Sequence, residues 1–184
     1  MRDFKEAPEA DKKIQPSSVT ARTDGLPLLS EANAAFVQRF ASMNVAGRDA
    51  QNRPALARGL GIRVSPDRRM LTVFLSETHS SRVLKCLREN GAIAVAVTGP
   101  KTHETLQFKG QVREIGPLSD EDRREMTAYR ESFVAELEQL GYPAEFTRQL
   151  LAGSESAVAV VFEPAAMFDQ TPGPKAGEKL GSKP

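Results

Sequence analysis

The sequence predicts a mainly β protein, an antiparallel barrel with flanking helices. Three observations carry this. Short stretches of alternating or continuous apolar residues outnumber helical stripes. Most neighbouring stretches are joined by brief turn-rich segments, RDAQNR at 48–53 and SPDRR at 65–69 among them, which suit hairpins. Neither GxGxxG after a first strand nor a Walker lysine is present, so a doubly wound nucleotide-binding sheet has no support.

The 184 residues suit one domain with a real core. We read 1–28 as a mobile arm, 29–170 as the folded domain and 171–184 as a tail. The arm mixes both charge signs with Pro and Ser and has hardly any apolar period. Net charge is +1, from 25 basic and 24 acidic residues, so no global field points to nucleic acid or an anionic membrane. Aromatics are 6% and Trp is absent, which gives little base-stacking surface. Cys86 is the single cysteine, excluding an internal disulfide framework or cysteine-rich zinc site, and reads as a buried structural thiol. His79 and His103 do not stand at metal-ligand spacing, and no metal site is expected. No apolar run approaches membrane-spanning length, and the charged start lacks a signal-peptide core; a cytoplasmic location is the default expectation.

In chain order, Ser30 is placed to cap a short helix that turns Ala34, Ala35, Val37 and Phe40 toward the core. A strand over 41–47 follows, then a hairpin into a strand over 54–64. A turn at 65–69, with Pro66 preset for its first corner, leads to a continuous apolar strand at 70–75. A polar loop then opens a helix over 83–90. Residues 92–98 alternate Ala with branched residues, so one face admits close approach while the other fills a barrel. A strand over 106–115 follows. Ser119 begins a long helix whose Asp120, Glu121 and Asp122 favour its N-terminal dipole. Met126, Tyr129, Phe133, Leu137 and Leu140 make its apolar stripe, which Gly141 and Pro143 end. A short helix over 143–151 and a last strand over 157–162 complete the domain. The segment from Phe168 onward is too rich in Pro and Gly for regular structure and is expected to lie over the surface or over a partner subunit.

The stretch 54–82 carries the chemistry. Its first strand alternates with period two: Leu56, Arg58, Leu60, Ile62 and Val64 on one face, and Ala55, Ala57, Gly59, Gly61 and Arg63 on the other. A guanidinium in an apolar row asks for an anion, and glycines within a strand often mark where a ligand or another backbone comes close. A flat anionic ligand along the strand answers both. So does a plainer arrangement in which Arg58 snorkels to an edge and the glycines mark a bulge. After the second strand, Ser76-Glu77-Thr78-His79-Ser80-Ser81-Arg82 puts hydroxyls and a cation at a helix N-terminus, where unpaired N–H groups favour phosphate; Ser80 or Ser81 can equally serve as the cap.

Arg58 with a second basic residue five positions on, Ser81-Arg82 before a helix, and Leu106-Gln107-Phe108-Lys109-Gly110 ending a strand element in Gly together resemble the FMN site of the pyridoxamine 5'-phosphate oxidase-like split barrels. The resemblance covers about 36–169 in order of elements. It implies a split barrel, an FMN cofactor and a homodimer with the flavin site at the subunit interface, whose small-residue faces would be Ala92–Ala96 and Ala157–Ala159. It also implies roles. Arg58, Ser81 and Arg82 would hold the phosphate, and the backbone of Gly59, Leu60, Gly61 and Ile62 would line the ring, with Ser76 and Glu77 at the next strand's end. Arg63 would face an acidic group of the substrate, and Gln107 would hydrogen-bond the ring, although Thr105 is the residue opposite the family's glutamine. Val83 departs from the pattern, standing where the oxidases have another phosphate-binding cation. There is no Trp, and neither Arg nor His after Arg148, so the true oxidases' substrate-holding residues are missing. The expected function is an FMN-binding oxidoreductase on an unidentified small molecule, not the true oxidase. The alternative is a non-catalytic flavin- or haem-binding protein on the same barrel, with His103 the suggestive axial ligand.

Overall fold

The structure is a computed structural model that describes residues 29–39 and 41–181. The expected arm at 1–28 and the inward-facing Phe40 expected of the first helix lie outside the described residues. The chain begins with helix α1, Glu31–Val37, whose cap is Ser30: its Oγ accepts a hydrogen bond from the Asn33 N–H at 3.1 Å. Strands follow as β1 (Ser42–Arg48), β2 (Pro54–Arg58), β3 (Ile62–Val64) and β4 (Leu71–Ser76), then α2 (Ser81–Asn90), β5 (Ala92–Thr98) and β6 (Thr105–Pro117). Helices α3 (Asp120–Gln139) and α4 (Ala144–Leu150) form a hairpin before β7 (Ala157–Asp169) and the two-residue β8 (Lys179–Leu180). The antiparallel sheet with flanking helices expected from the sequence is the architecture found.

All pairings are antiparallel, in the order β2-β1-β5-β6-β7-β4-β3, with β8 on β7. The two ends of this ladder, β2 and β3, are successive pieces of one segment. Gly59 N–H donates to the Met43 carbonyl at 3.0 Å, and the next residue, Leu60, donates to the Phe74 carbonyl at 2.8 Å. Within two residues the chain leaves β1 for β4, and both edges of the curled sheet meet in this one segment.

The single alternating strand expected over 54–64 is therefore two strands with a break. Leu56 and Arg58 face outward, whereas Leu60, Ile62 and Val64 are buried. The glycines of the break admit neighbouring side chains. A Cβ on Gly59 would meet Met43 Sδ at 2.6 Å, and one on Gly61 would meet Phe74 Cδ2 at 2.8 Å. Gly61 also holds φ at +154°, a conformation that L side chains rarely adopt.

The inner side chains of the sheet form the core with α2, which packs on the end of β1 through Cys86 and Leu87 against Gly47. Helix α3 is capped as its sequence implies. Ser119 Oγ accepts from the Asp122 N–H at 3.1 Å and Asp122 Oδ2 accepts from the Ser119 N–H at 3.0 Å, a capping box. Its stripe buries Met126, Tyr129, Phe133 and Leu137, but Leu140 stays 42% exposed. At the far end of the chain, β7 extends through Phe168 and Asp169, beyond its expected stop, and the tail turns back to add β8. Register shifts at Lys109/Gly110 and Val112/Glu114 let so long a strand follow the sheet's curl.

Candidate functional site

The strand registers put residues from distant parts of the chain in rows across the sheet's outer face. One row runs Arg58–Asn44–Ala96–Gln107–Phe168. The next runs Leu56–Ala46–Ala94–Lys109–Ala166. At one end Ser42, Thr98 and Thr105 align. Met43, Val45, Val95 and Phe108 alternate with these and point into the core. The outer face is thus floored by alanines, and a groove of about 400 Å³ lies over Ala46, Ala92, Ala94 and Gly110 between Arg48 and Lys109. Lys109 Nζ sits 4.9 Å from the centre of the Phe168 ring, a cation–π contact.

Arg58 stands at the hydroxyl end of this face. It is half-buried, and its Nη1 donates to Ser42 Oγ at 3.1 Å. Among the described residues no carboxylate lies within ion-pair distance of it. A partly desolvated guanidinium held only by a hydroxyl keeps most of its donors for an anion. Beside the Arg58 row, Thr105 Oγ1 lies 3.0 Å from Thr98 Oγ1, adding hydroxyls that can turn toward an acceptor. Nearby, Tyr129 donates its buried phenol to the Ala41 carbonyl at 2.5 Å. Burial pushes that phenol's pKa far up, with the Arg58 charge offsetting only part of the shift. It therefore serves as a fixed donor.

The other site residues expected from the sequence fall in different places. Gly59, Leu60, Gly61 and Ile62 are buried, packed against Met43, Phe74 and Met126. Arg63 is half-buried and already partnered: its Nε and Nη2 each reach Asp122 Oδ1 at 2.9 Å, with Glu121 at 3.9 Å. Burial raises the Asp122 carboxyl, but the Ser119 hydroxyl and N–H and the Arg63 guanidinium outweigh it and hold the group below its ordinary value. Ser76 is buried, its Oγ 3.1 Å from Thr78 Oγ1, and Glu77 is exposed with its N–H on the Ser156 carbonyl. Ser81 and Arg82 are exposed in the first turn of α2, after Ser80, which caps by position without a side-chain bond. Arg82 lines a pocket with Asp49, Arg53, Lys85 and Glu89, whereas Arg58 lines another with Ser42 and Pro100. The two arginines thus line different pockets of the chain. Gln107 lies in the middle of the outer face, where its Oε1 accepts from Gln170 at 3.3 Å. His103 is exposed in the β5–β6 turn at φ +57°.

Sequence reasoning missed Ser42 and Thr98. Each is an ordinary strand residue until the pairing of β1, β5 and β6 brings it beside Arg58 or Thr105. The period-two pattern identified the face they lie on, but only long-range register names their neighbours. Among the described residues no three His, Cys, Asp or Glu side chains gather to hold a metal, and no helix is long and apolar enough to cross a membrane.

This arrangement defines an antiparallel split barrel with an open, alanine-floored face, at one end of which Arg58 has no carboxylate partner among the described residues. No family model matches the sequence, and no curated protein matches it. Similar solved structures include an F420 reductase, at 17% identity over 76% of this chain and 98% of that chain, with a TM-score of 0.49. HupZ of Group A Streptococcus is 17% identical over 81% of this chain and 99% of its own, also at 0.49. An FMN-binding protein from Syntrophomonas wolfei is 11% identical over 77% and 85%, at 0.48. At these identities and scores no residue role passes from those proteins to this chain.

Proposed function

We propose that the protein binds FMN and uses it as an oxidoreductase on a small molecule, working as a homodimer whose second copy covers the open face. The observation that carries this reading is Arg58: half-buried, its side chain bonded among the described residues only to Ser42, and set at the edge of a floor of small residues. An anionic flat cofactor fits those features together. Its phosphate would meet Arg58 and the Ser42 hydroxyl, and the rows through Ala46, Ala94 and Ala96 would leave room for a ring. Gln107 lies within the same face to hydrogen-bond a ring edge. When bound, the isoalloxazine supplies the electron-accepting chemistry, and the chain contributes position and electrostatics.

Arg82 and Ser81 are the weaker part of the proposed phosphate set. In the pocket of Arg82 the acids Asp49 and Glu89 stand among Arg53 and Lys85 and offset part of its positive charge. Arg63 reaches a substrate anion only by giving up Asp122. A homodimer is supported by Leu56, 69% exposed on the outer face, and by the half-buried alanines beside it, which a monomer leaves in water. Adding FMN to the purified protein and following flavin fluorescence tests the reading. Saturable quenching at micromolar protein is the expected result, and a flat titration overturns it.

A further inference from the structure

Around Arg58 the surface is unusually apolar for an exposed helix end. The turn between α3 and α4 and the first turn of α4 leave Leu140, Tyr142 and Phe146 42%, 49% and 44% exposed. Tyr142 and Phe146 stack on each other, with ring centroids 5.6 Å apart and planes within 19°. With buried Phe133 and Leu137 they line a pocket of about 290 Å³ in which Arg58, beside Ser42, is the one charged residue among the described residues. A ready-made aromatic platform next to a lone cation is complementary to a flat base attached to a phosphate.

FMN ends at its phosphate, so with that group on Arg58 nothing of FMN would reach the aromatic pair. The opposite end of the face is also in line. Ala46 floors the larger groove and Ser42 borders the smaller pocket, on the same side of β1 and four residues apart, which is roughly 14 Å at the rise of a strand. One extended ligand along β1 spans both.

We propose that the flavin is held as its adenine dinucleotide, with the diphosphate at Arg58 and Ser42 and the adenine against Tyr142 and Phe146. This deepens the flavin reading and rests on it. The charge supports it as well, since the pocket offers a cation and no acid to a ligand that carries two adjoining phosphates.

Calorimetric titration of the full chain with FMN and, separately, with FAD tests the assignment. FAD is expected to bind tighter by about tenfold or more, the range that stacking of a base on aromatic side chains supports. The double variant Tyr142→Ala/Phe146→Ala should lose that advantage while keeping its FMN affinity, and Tyr142→Phe should retain it. Both positions are half-exposed, so an unchanged melting curve is expected of the double variant. FMN binding as tightly as FAD overturns the inference and leaves the flavin reading standing. Equal weakening of both flavins by the double variant also overturns it. So does conversion of a dimer to a monomer with the FAD-to-FMN ratio unchanged, which would assign the pair to a subunit contact. Failure of both flavins to bind removes the flavin reading itself.

Discussion

Arg58 differs from Arg53 and Arg63, the arginines that flank it in sequence. Arg53 is paired with Asp49 and Arg63 with Asp122, while Arg58 has Ser42 alone among the described residues. Charge-assisted contacts contribute roughly 1.5–3 kcal/mol each, so Arg58→Ala should weaken FMN by about tenfold to a hundredfold. Riboflavin, lacking the phosphate, should be weakened far less, and parallel titrations of the two ligands check this. Equal loss for both would place the arginine's work elsewhere. The Arg63–Asp122 pair predicts a pH effect. The Asp122 pKa is lowered in the folded state, so its contribution to stability is present above the unfolded carboxylate range near pH 4 and fades as pH falls through the lower folded value. The stability difference between the wild type and Asp122→Asn, measured by urea unfolding, should therefore shrink between about pH 5 and pH 3. A constant difference across that range would show that the carboxylate's ionisation is not what stabilises α3 here.

Among the elements, α3 was legible except at its end, where Leu140 was expected in the buried stripe and stays exposed. Ser119, the acidic first turn, the stripe from Met126 to Leu137 and the stop at Gly141 and Pro143 all act locally, within a few residues of one another. The segment 54–64 was not. Its two halves each alternate correctly, and the slip between them falls on Gly59 and Gly61, which have no side chain to betray a face. The end of β7 was hidden for a similar reason. Pro164 reads as a strand breaker, yet it lies at the β6–β7 register shift, where the ladder is already interrupted. Gly110 belongs to that same irregularity. A Cβ there would stand 2.1 Å from the Glu163 carbonyl oxygen, a backbone atom that cannot turn aside. Gly110→Ala should therefore cost about 1–3 kcal/mol or more through forced separation of β6 and β7. Chemical denaturation measures it, and a loss under about 0.5 kcal/mol, typical of tolerated surface changes, would mean the strands part easily.

For the whole molecule, the barrel and its flanking helices were legible in the hairpin spacing, and the outer face in the alanines of β5. The composition of the site was only half legible. Arg58 announced itself as a charge in an apolar row, but Ser42, Thr98 and the α3–α4 aromatic pair become its neighbours only through tertiary folding. The same outer face makes a prediction about assembly. If a second copy covers it, the interface should bury about 2,000 Å² or more, as obligate dimers do. Sedimentation at low micromolar concentration should then find a dimer, and a monomer would defeat the shared face. Pyridoxamine 5'-phosphate should be a poor substrate, because the chain has neither a Trp nor any Arg or His beyond Arg148 to orient it. FMN-loaded protein supplied with it in air should form pyridoxal 5'-phosphate far more slowly than about 1 per second, the lower end of ordinary turnover.

The most direct test of the central claim is the visible spectrum of the purified protein during titration with FMN, with haem titrated in parallel. Our account predicts saturable perturbation of the flavin bands with a dissociation constant of about micromolar or below, on the order of 8 kcal/mol of binding free energy. It also predicts that Arg58→Ala moves the midpoint of that perturbation about tenfold to a hundredfold higher in FMN. No saturable change with FMN, together with a Soret-type band that saturates on haem addition, would contradict it.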